Sequence, residues 1–506
     1  DKRGFPFFGY LCSHNQGVTA MRTEKDRFGT VQLPDDALYG IHAFRARENF
    51  PGEGRFHAEW YRAMGTTKLA CYQAYERFSQ AVKEQYPQLV SHLRLLDPGV
   101  VTALQEAASE VAAGMHFEHF VVPAVQGGAG TSINMNVNEI IANTALLKMG
   151  KRPGDYEVID PIESANVYQS TNDVVPTALT VAVMELLNEL EAAINRTRSE
   201  TEKLETRYRS TIRLAYTQMQ EAVPSTYGQL FSGYSEALSR DWWRVSKGFE
   251  RIKQINLGGG STGTGISIPR FYLMEAPRML KRLTGLPLSQ AENLPDATAN
   301  QDGLAEVHAI VKVHAINLEK IARDLRLLSS GVHEAPDIRL PAVQTGSSIM
   351  PGKVNPVISE YIVSGVHRVY EHDSLITRLS GQGDLDLNAY LPSIGDAMLD
   401  SLKTLIGLDE ALTEKVLKGL EVDEEAARGK LLRSAAITTA LSPFTGYHQA
   451  ARLANTMQKE RVDIMEANRK LGLLEEEKLN RLMMPDQLLK KGFTMKEIED
   501  FTGEPS

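Results

Sequence analysis

From Leu304 to Leu328 the chain reads LAEVHAIVKVHAINLEKIARDLRLL, with no proline or glycine to interrupt it. Leu304, Val307, Val311, His314, Leu318, Ile321, Leu325 and Leu328 follow one another in alternating three- and four-residue steps. That spacing predicts a helix with one continuous seam, packed at a shallow angle in a bundle. His314 lies on the seam, so a buried, hydrogen-bonded structural histidine is expected there rather than a ligand or catalytic group. Leu179, Val183, Leu186, Leu190 and Ala193 form a second stripe, on a helix expected to start after Pro176, and further breaker-poor stretches begin near Gln229, Pro356 and Ala397. Together they predict a mainly α protein with a central antiparallel bundle of about five long helices.

Outward from the bundle the pattern changes. Residues 1–167 mix short strand-like pieces, such as Gly29 to Leu33, with helices. Residues 168–424 hold the bundle, and residues 425–506 are charged, Leu-rich and helical. Three regions suit a chain of 506 residues, a length at which a single core has stopped growing. Residues 1–21 read as a surface-lying extension: Pro6 and Gly9 interrupt its short apolar run, and no small-x-small cleavage site follows. Between the helix ending near Ser330 and the one starting near Pro356 runs a connection of roughly twenty-five residues, longer than a compact domain tolerates without a purpose.

Composition narrows the functional classes. An apolar share of 42% with 24% charged residues is ordinary for a globular protein, and no run reaches the length a membrane helix needs. A net charge of -9 argues against a sequence-independent nucleic-acid binder. Cys12 and Cys71 are the only cysteines, which excludes a disulfide framework and fits a reducing compartment, the cytoplasm by default.

Three polar clusters stand at helix starts. The long connection ends in Gly346-Ser347-Ser348-Ile349-Met350-Pro351-Gly352-Lys353-Val354-Asn355-Pro356, with Asn355 as expected N-cap and Pro356 at the first helical position. Gln126 to Ser132 is a glycine-rich turn feeding a helix through Asn134, Met135, Asn136 and Asn138, and Gln169-Ser170-Thr171-Asn172-Asp173 precedes Pro176. Singly, each reads as an ordinary cap. Jointly, hydroxyls, amides and one lysine at positive helix ends suit a small polyanion such as a dicarboxylate. Gly258-Gly259-Gly260-Ser261-Thr262-Gly263-Thr264-Gly265 satisfies the dinucleotide pattern but lacks a preceding strand, so a flexible connection between helices is expected. Neither His116 with His119 nor His367 with His372 has supporting ligands, and no metal or other cofactor is expected.

The segment Gly346 to Pro356 resembles the signature of the fumarase/aspartase superfamily, whose members eliminate across a carbon–carbon bond to release fumarate. Ala129-Gly130-Thr131-Ser132-x-Asn134-Met135-Asn136 and Gln169 to Asp173 look like its other two signature regions. Further similarity lies in Asp26-x-x-Gly29, Tyr39-Gly40, Glu48-Asn49-Phe50, Thr217-Gln218-x-Gln220-Glu221-Ala222-Val223-Pro224 and Asp324 to Gly331. The likeness spans roughly residues 22 to 490. The Gly127 to Ser132 variant, with Gln218 where fumarases carry histidine, is closer to the aspartate ammonia-lyase branch.

The resemblance implies a three-region lyase fold whose long-helix bundle forms a homotetrameric core, with active sites shared between subunits. It implies a reversible elimination of ammonia from L-aspartate to fumarate. Ser347 would be the general base taking the Cβ proton to give an aci-carboxylate dianion. Lys353 and Asn355 would bind the carboxylate where charge develops, and Glu360 would support the site. Thr131, Ser170 and Thr171 would hold substrate carboxylate oxygens, while Asn172, Thr217 and Gln218 would orient the amine. Preorganised donors of this kind are each worth ~3 kcal/mol in comparable oxyanion sites.

Two departures touch the substrate side. Asp160-Pro161-Ile162-Glu163-Ser164-Ala165-Asn166 replaces a His-Pro-Asn-Asp-x-Val-Asn loop, and Ala215-Tyr216 replaces the Gly-Arg that precedes Thr217 in relatives. The alternatives are therefore fumarate hydration, a lyase for an N-substituted amino dicarboxylate, or a non-catalytic structural descendant. Retention of Ser347, Lys353, Asn355 and Glu360 counts against the last.

Overall fold

The computed structural model describes residues 20–52, 54–332, 336–488 and 490–502. Of the extension expected over residues 1–21, residues 1–19 lie outside these. The fold is mainly α, with strands confined to two-stranded pairings. The chain divides into two compact units, each built from three separate stretches.

The first unit takes the chain up to Ala182, then Lys253–Asp302 and Arg378–Asp396. It opens with an antiparallel hairpin, Met21–Asp26 against Gly29–Pro34. Its core forms where the Ala58–Gln85 helix packs against the Pro98–Ala112 and Arg270–Thr284 helices, burying Trp60, Tyr61, Met64, Tyr72, Leu104 and Tyr272. The Glu139 carboxylate, on the Thr131–Lys148 helix, is buried and accepts the N–H groups of Gly40, His42 and Ala43 at 2.8, 2.8 and 3.2 Å. A carboxylate set against the unbonded donors of a helix start is favourable. Burial nevertheless pushes Glu139 up to about 8.

The Thr171–Arg207 helix begins earlier than expected, with Pro176 inside its early turns. Proline has no N–H for the Asn172 carbonyl one turn back. The buried Asn256 side chain supplies the missing donor, its Nδ2 lying 2.8 Å from Asn172 O. That compensation is tertiary, so the local pattern around Pro176 did not announce it.

The second unit comprises Val183–Ile252, Gly303–Thr377 and the chain from Ala397 onward. Segments of five long helices make up most of it: Thr171–Arg207, Tyr227–Ile252, Asp302–Leu328, Val357–Ser380 and Leu391–Lys415. The last starts before Ala397 because Pro392 sits in its first turn, where proline is tolerated. The seam holds: Leu304, Val307, Val311, His314, Leu318, Ile321 and Leu325 are buried, and Leu328 is half-buried at the frayed end.

His314 is the structural histidine the seam implied. Its Nδ1 lies 3.0 Å from Asp241 Oδ2 and its Nε2 2.7 Å from Asp409 Oδ2. Thr197 Oγ1 donates to Asp409 Oδ1 at 2.7 Å, and Asn317 Nδ2 to Asp241 at 2.8 Å. Two carboxylates outweigh burial and raise the imidazole to about 10, so it is held as a cation that ties three helices together.

Beside the bundle, Ile212–Thr217 and Gln220–Thr226 form an antiparallel hairpin. Ile212 and Leu214 pack into a small core with Leu431, Ile437, Leu441, Leu453, Met457 and Ile464 from the C-terminal helices.

Candidate active site

Thr131 is the first residue of the Thr131–Lys148 helix, and the turn before it decides where it points. Gly128, Ala129 and Gly130 all have positive φ, and a Cβ on Gly130 would stand 2.9 Å from Val175 Cγ1. Glycine is therefore required on both counts, and the turn delivers an exposed Thr131 at the positive helix end.

The same helix meets the second cluster through asparagines. Asn134 Nδ2 donates to Thr171 Oγ1 at 3.2 Å and to Asn166 Oδ1 at 3.1 Å. Asn138 Nδ2 donates to Asn166 Oδ1 at 3.2 Å, and Asn166 Nδ2 reaches Gln169 O at 3.0 Å. Asn134, Asn138 and Asn166 were legible only as motif letters; their work is to join the Thr131 helix to the Ser170–Thr171 segment. In the altered loop, the Asp160 carboxylate accepts the N–H groups of Ile162 and Glu163, each at 2.7 Å, so the acid that replaces histidine closes its own turn.

The Ser170–Asp173 segment is fixed tightly. Asp173, 1% exposed, accepts N–H groups from Ser170 at 3.0 Å, Gly258 at 3.2 Å and Gly260 at 3.0 Å. Asn172 Nδ2 donates to Ser261 O at 2.7 Å, and Asn172 N donates to Ser170 Oγ at 3.2 Å. The Gly258–Gly265 run is thus no flexible connection. Its amides wrap a buried carboxylate, which explains the glycines without any nucleotide.

In the second unit the 346–356 segment closes on itself. Gly346 N donates to Lys353 O at 2.8 Å, and Asn355 Nδ2 donates to Gly346 O at 2.7 Å. A Cβ on Gly346 would fall 2.6 Å from Lys353 O and 2.9 Å from Asn355 N. Asn355 was expected to cap the following helix; its amide instead ties the loop, and the first helical bond runs from Glu360 N to Pro356 O at 3.2 Å. Ser347 Oγ accepts two backbone N–H groups, from Ile349 at 3.2 Å and Met350 at 3.0 Å. Two donors on one hydroxyl oxygen favour its ionised form, the form a base needs.

Lys353 is exposed, and Glu360, one turn into the helix, lies 3.2 Å from Arg326 Nη2. Thr217 and Gln218 belong to a different element: they are exposed at the tip of the Ile212–Thr226 hairpin, where Gln218 and Met219 both take positive φ, as a tight hairpin turn demands. Thr131, Ser170, Thr171 and Asn172 therefore belong to the first unit, and Thr217, Gln218, Ser347, Lys353, Asn355 and Glu360 to the second. Among the described residues no helix is long and apolar enough to cross a membrane.

The family described as "Lyase" matches residues 29–370, and that described as "Fumarase C C-terminus" matches residues 437–490. An aspartate ammonia-lyase of a Bacillus species is 38% identical over 476 residues, 94% of this chain and 98% of the relative. That of Escherichia coli K12 is 34% identical over 482 residues, 95% of this chain and 98% of the relative. Among solved structures, a fumarate lyase:delta crystallin from Brucella melitensis bound to cobalt superposes with a TM-score of 0.84 at 36% identity, covering 93% of this chain and 99% of that one. A class II fumarase from Schistosoma mansoni gives 0.81 at 26% identity, covering 92% and 98%.

Proposed function

The chain belongs to the fumarase/aspartase lyase family, and from that premise we propose that it is an ammonia-lyase that reversibly converts L-aspartate to fumarate and ammonia. The observation that carries the reading is the closed 346–356 loop, in which a serine oxygen receives two amide N–H groups beside a lysine and an asparagine. Near-complete coverage by aspartate ammonia-lyases supports the choice of substrate.

In this reading Ser347, as alkoxide, takes the Cβ proton of aspartate. The electron pair moves onto the adjacent carboxylate, giving the aci-carboxylate dianion, which Lys353 and Asn355 stabilise. The pair then returns to form the Cα=Cβ double bond of fumarate. The Cα–N bond breaks with its own electrons leaving on nitrogen, so that the substrate ammonium departs as neutral ammonia, and Ser347 gives the proton it took to solvent. Thr131, Ser170 and Thr171 hold the substrate carboxylates, Asn172, Thr217 and Gln218 orient the amine, and Glu360 supports Lys353 and Asn355 from the helix behind the loop. A serine base works only where charge stabilisation and exclusion of water lower the cost of ionising it, and loop closure over the substrate would supply both. We place the enzyme in the cytoplasm as a homotetramer, with each active site drawn from more than one subunit.

The test is direct. Purified protein is incubated separately with L-aspartate, with L-malate, and with fumarate plus ammonium, while alkene absorbance is followed in the ultraviolet. Fumarate should form from aspartate. Its formation from malate but not aspartate would replace this reading with fumarate hydration.

A further inference from the structure

Lys68 is out of place on its helix. It follows Met64 and precedes Tyr72 on the buried face of Ala58–Gln85, and it is 0% exposed. A buried ammonium is costly unless charges and hydrogen bonds compensate it. Among the described residues its hydrogen-bond acceptor is Gln169 Oε1, at 2.8 Å. Gln169 immediately precedes Ser170, Thr171 and Asn172. At the other end of that short segment, the buried Asp173 carboxylate holds Ser170 N and the amides of Gly258 and Gly260. Two opposite charges thus flank the hydroxyl-bearing segment, and each offsets part of the other's desolvation: burial lowers Lys68 to about 7 and raises Asp173 to about 6, while each charge favours the other's ionised form.

Apolar residues of similar size would often stabilise such a core better than two buried charges. Their presence beside the hydroxyls assigned to the substrate therefore calls for a geometric reason. We propose that Lys68 and Asp173 are positioning residues: acting through Gln169 and through the Ser170 N–H, they clamp the two ends of the 169–173 segment and fix the Ser170 and Thr171 hydroxyls where a substrate carboxylate meets them. This rests on the dicarboxylate reading above.

The test uses the full-length protein as Lys68→Met, Gln169→Leu and the double variant. KM and kcat are measured for L-aspartate, with dissociation constants for succinate, an unreactive dicarboxylate, and thermal midpoints. Removing one partner strands the other, so each single variant loses stability, whereas the double variant recovers the part due to the stranded hydrogen-bonding group and keeps the part due to the lost charge opposite Asp173. The clamp, however, stays broken in all three. KM and the succinate constant should rise by about 10- to 100-fold in each single variant and by the same factor, not the product, in the double. A double variant that regains wild-type KM as its thermal midpoint recovers would reduce Lys68 to a structural residue and overturn the proposal. Wild-type KM in a folded Lys68→Met variant would do the same. If the wild type binds succinate but does not turn over aspartate, the ammonia-lyase reading fails while the succinate constants still decide the clamp; if it binds neither, both fail.

Discussion

Replacing Gly346 with alanine isolates loop closure from the chemistry carried by side chains. The added Cβ would lie 2.6 Å from Lys353 O, where an ordinary contact is about 3.4 Å or more, so the two strands of the loop must part by somewhat under 1 Å. Parting them weakens the Gly346 N to Lys353 O bond and the Asn355 Nδ2 to Gly346 O bond together. It also carries Ser347 and Lys353 away from each other. A displacement of about 1 Å at a reacting group costs on the order of 10²-fold in rate, or ~2.7 kcal/mol of barrier. The loop is largely exposed, so its disturbance should stay local. The expected result is a loss of about two orders of magnitude in kcat for L-aspartate, with a thermal midpoint within ~4 °C of wild type. Stopped-assay kinetics and calorimetry on the same preparation measure both. Wild-type kcat would show that the closed loop is not the reactive arrangement, and a collapsed midpoint would show that the loop carries global stability; either refutes the reasoning.

Ser347→Ala should abolish turnover, to ~10³-fold or more below wild type, without lowering the thermal midpoint; retained turnover would remove Ser347 as the base. His314→Leu leaves Asp409 buried without its cation and Asp241 with only the Arg244 cation, 2.8 Å from its Oδ1, and should destabilise by about 3–5 kcal/mol in denaturant titrations. Because the folded imidazole is raised to about 10, its stabilisation is fully present below the unfolded value near 6.5 and is lost as pH rises towards 10. The wild-type midpoint should fall across that window, and the His314→Leu midpoint should fall less; parallel profiles would contradict the assignment. Asn256→Ala strands the Asn172 carbonyl and should cost about 1–3 kcal/mol, and adding Pro176→Ala should recover part of it by restoring a helical N–H. No recovery would mean Asn256 serves mainly its other partner, Thr298.

What the sequence disclosed and what it hid divide along one physical line. The bundle was legible because helical periodicity is local: the Leu304–Leu325 seam and His314 upon it needed no partner to be recognised. The polar clusters around Thr131, Thr171 and Ser347 were legible for the same reason, since caps and glycine turns are short-range. The Ile212–Thr226 hairpin was not, because its turn uses Gln218 and Met219 in place of the usual asparagine and glycine, and Ile212 and Leu214 commit to a core with residues such as Leu431 and Ile464, more than two hundred positions away. The Gly258–Gly265 run misled because its ligand is the carboxylate of Asp173, remote in sequence, and a glycine run reads as flexible until its amides have an acceptor. Lys68 did leave a trace: a cation between Met64 and Tyr72 on an otherwise apolar face is a violation of the helical pattern. A locally wrong residue at a buried position implies a compensating charge from elsewhere, and here that charge flanks the hydroxyls assigned to the substrate. Violations of pattern, more than conformity to it, mark where the fold has been bent to the needs of the site.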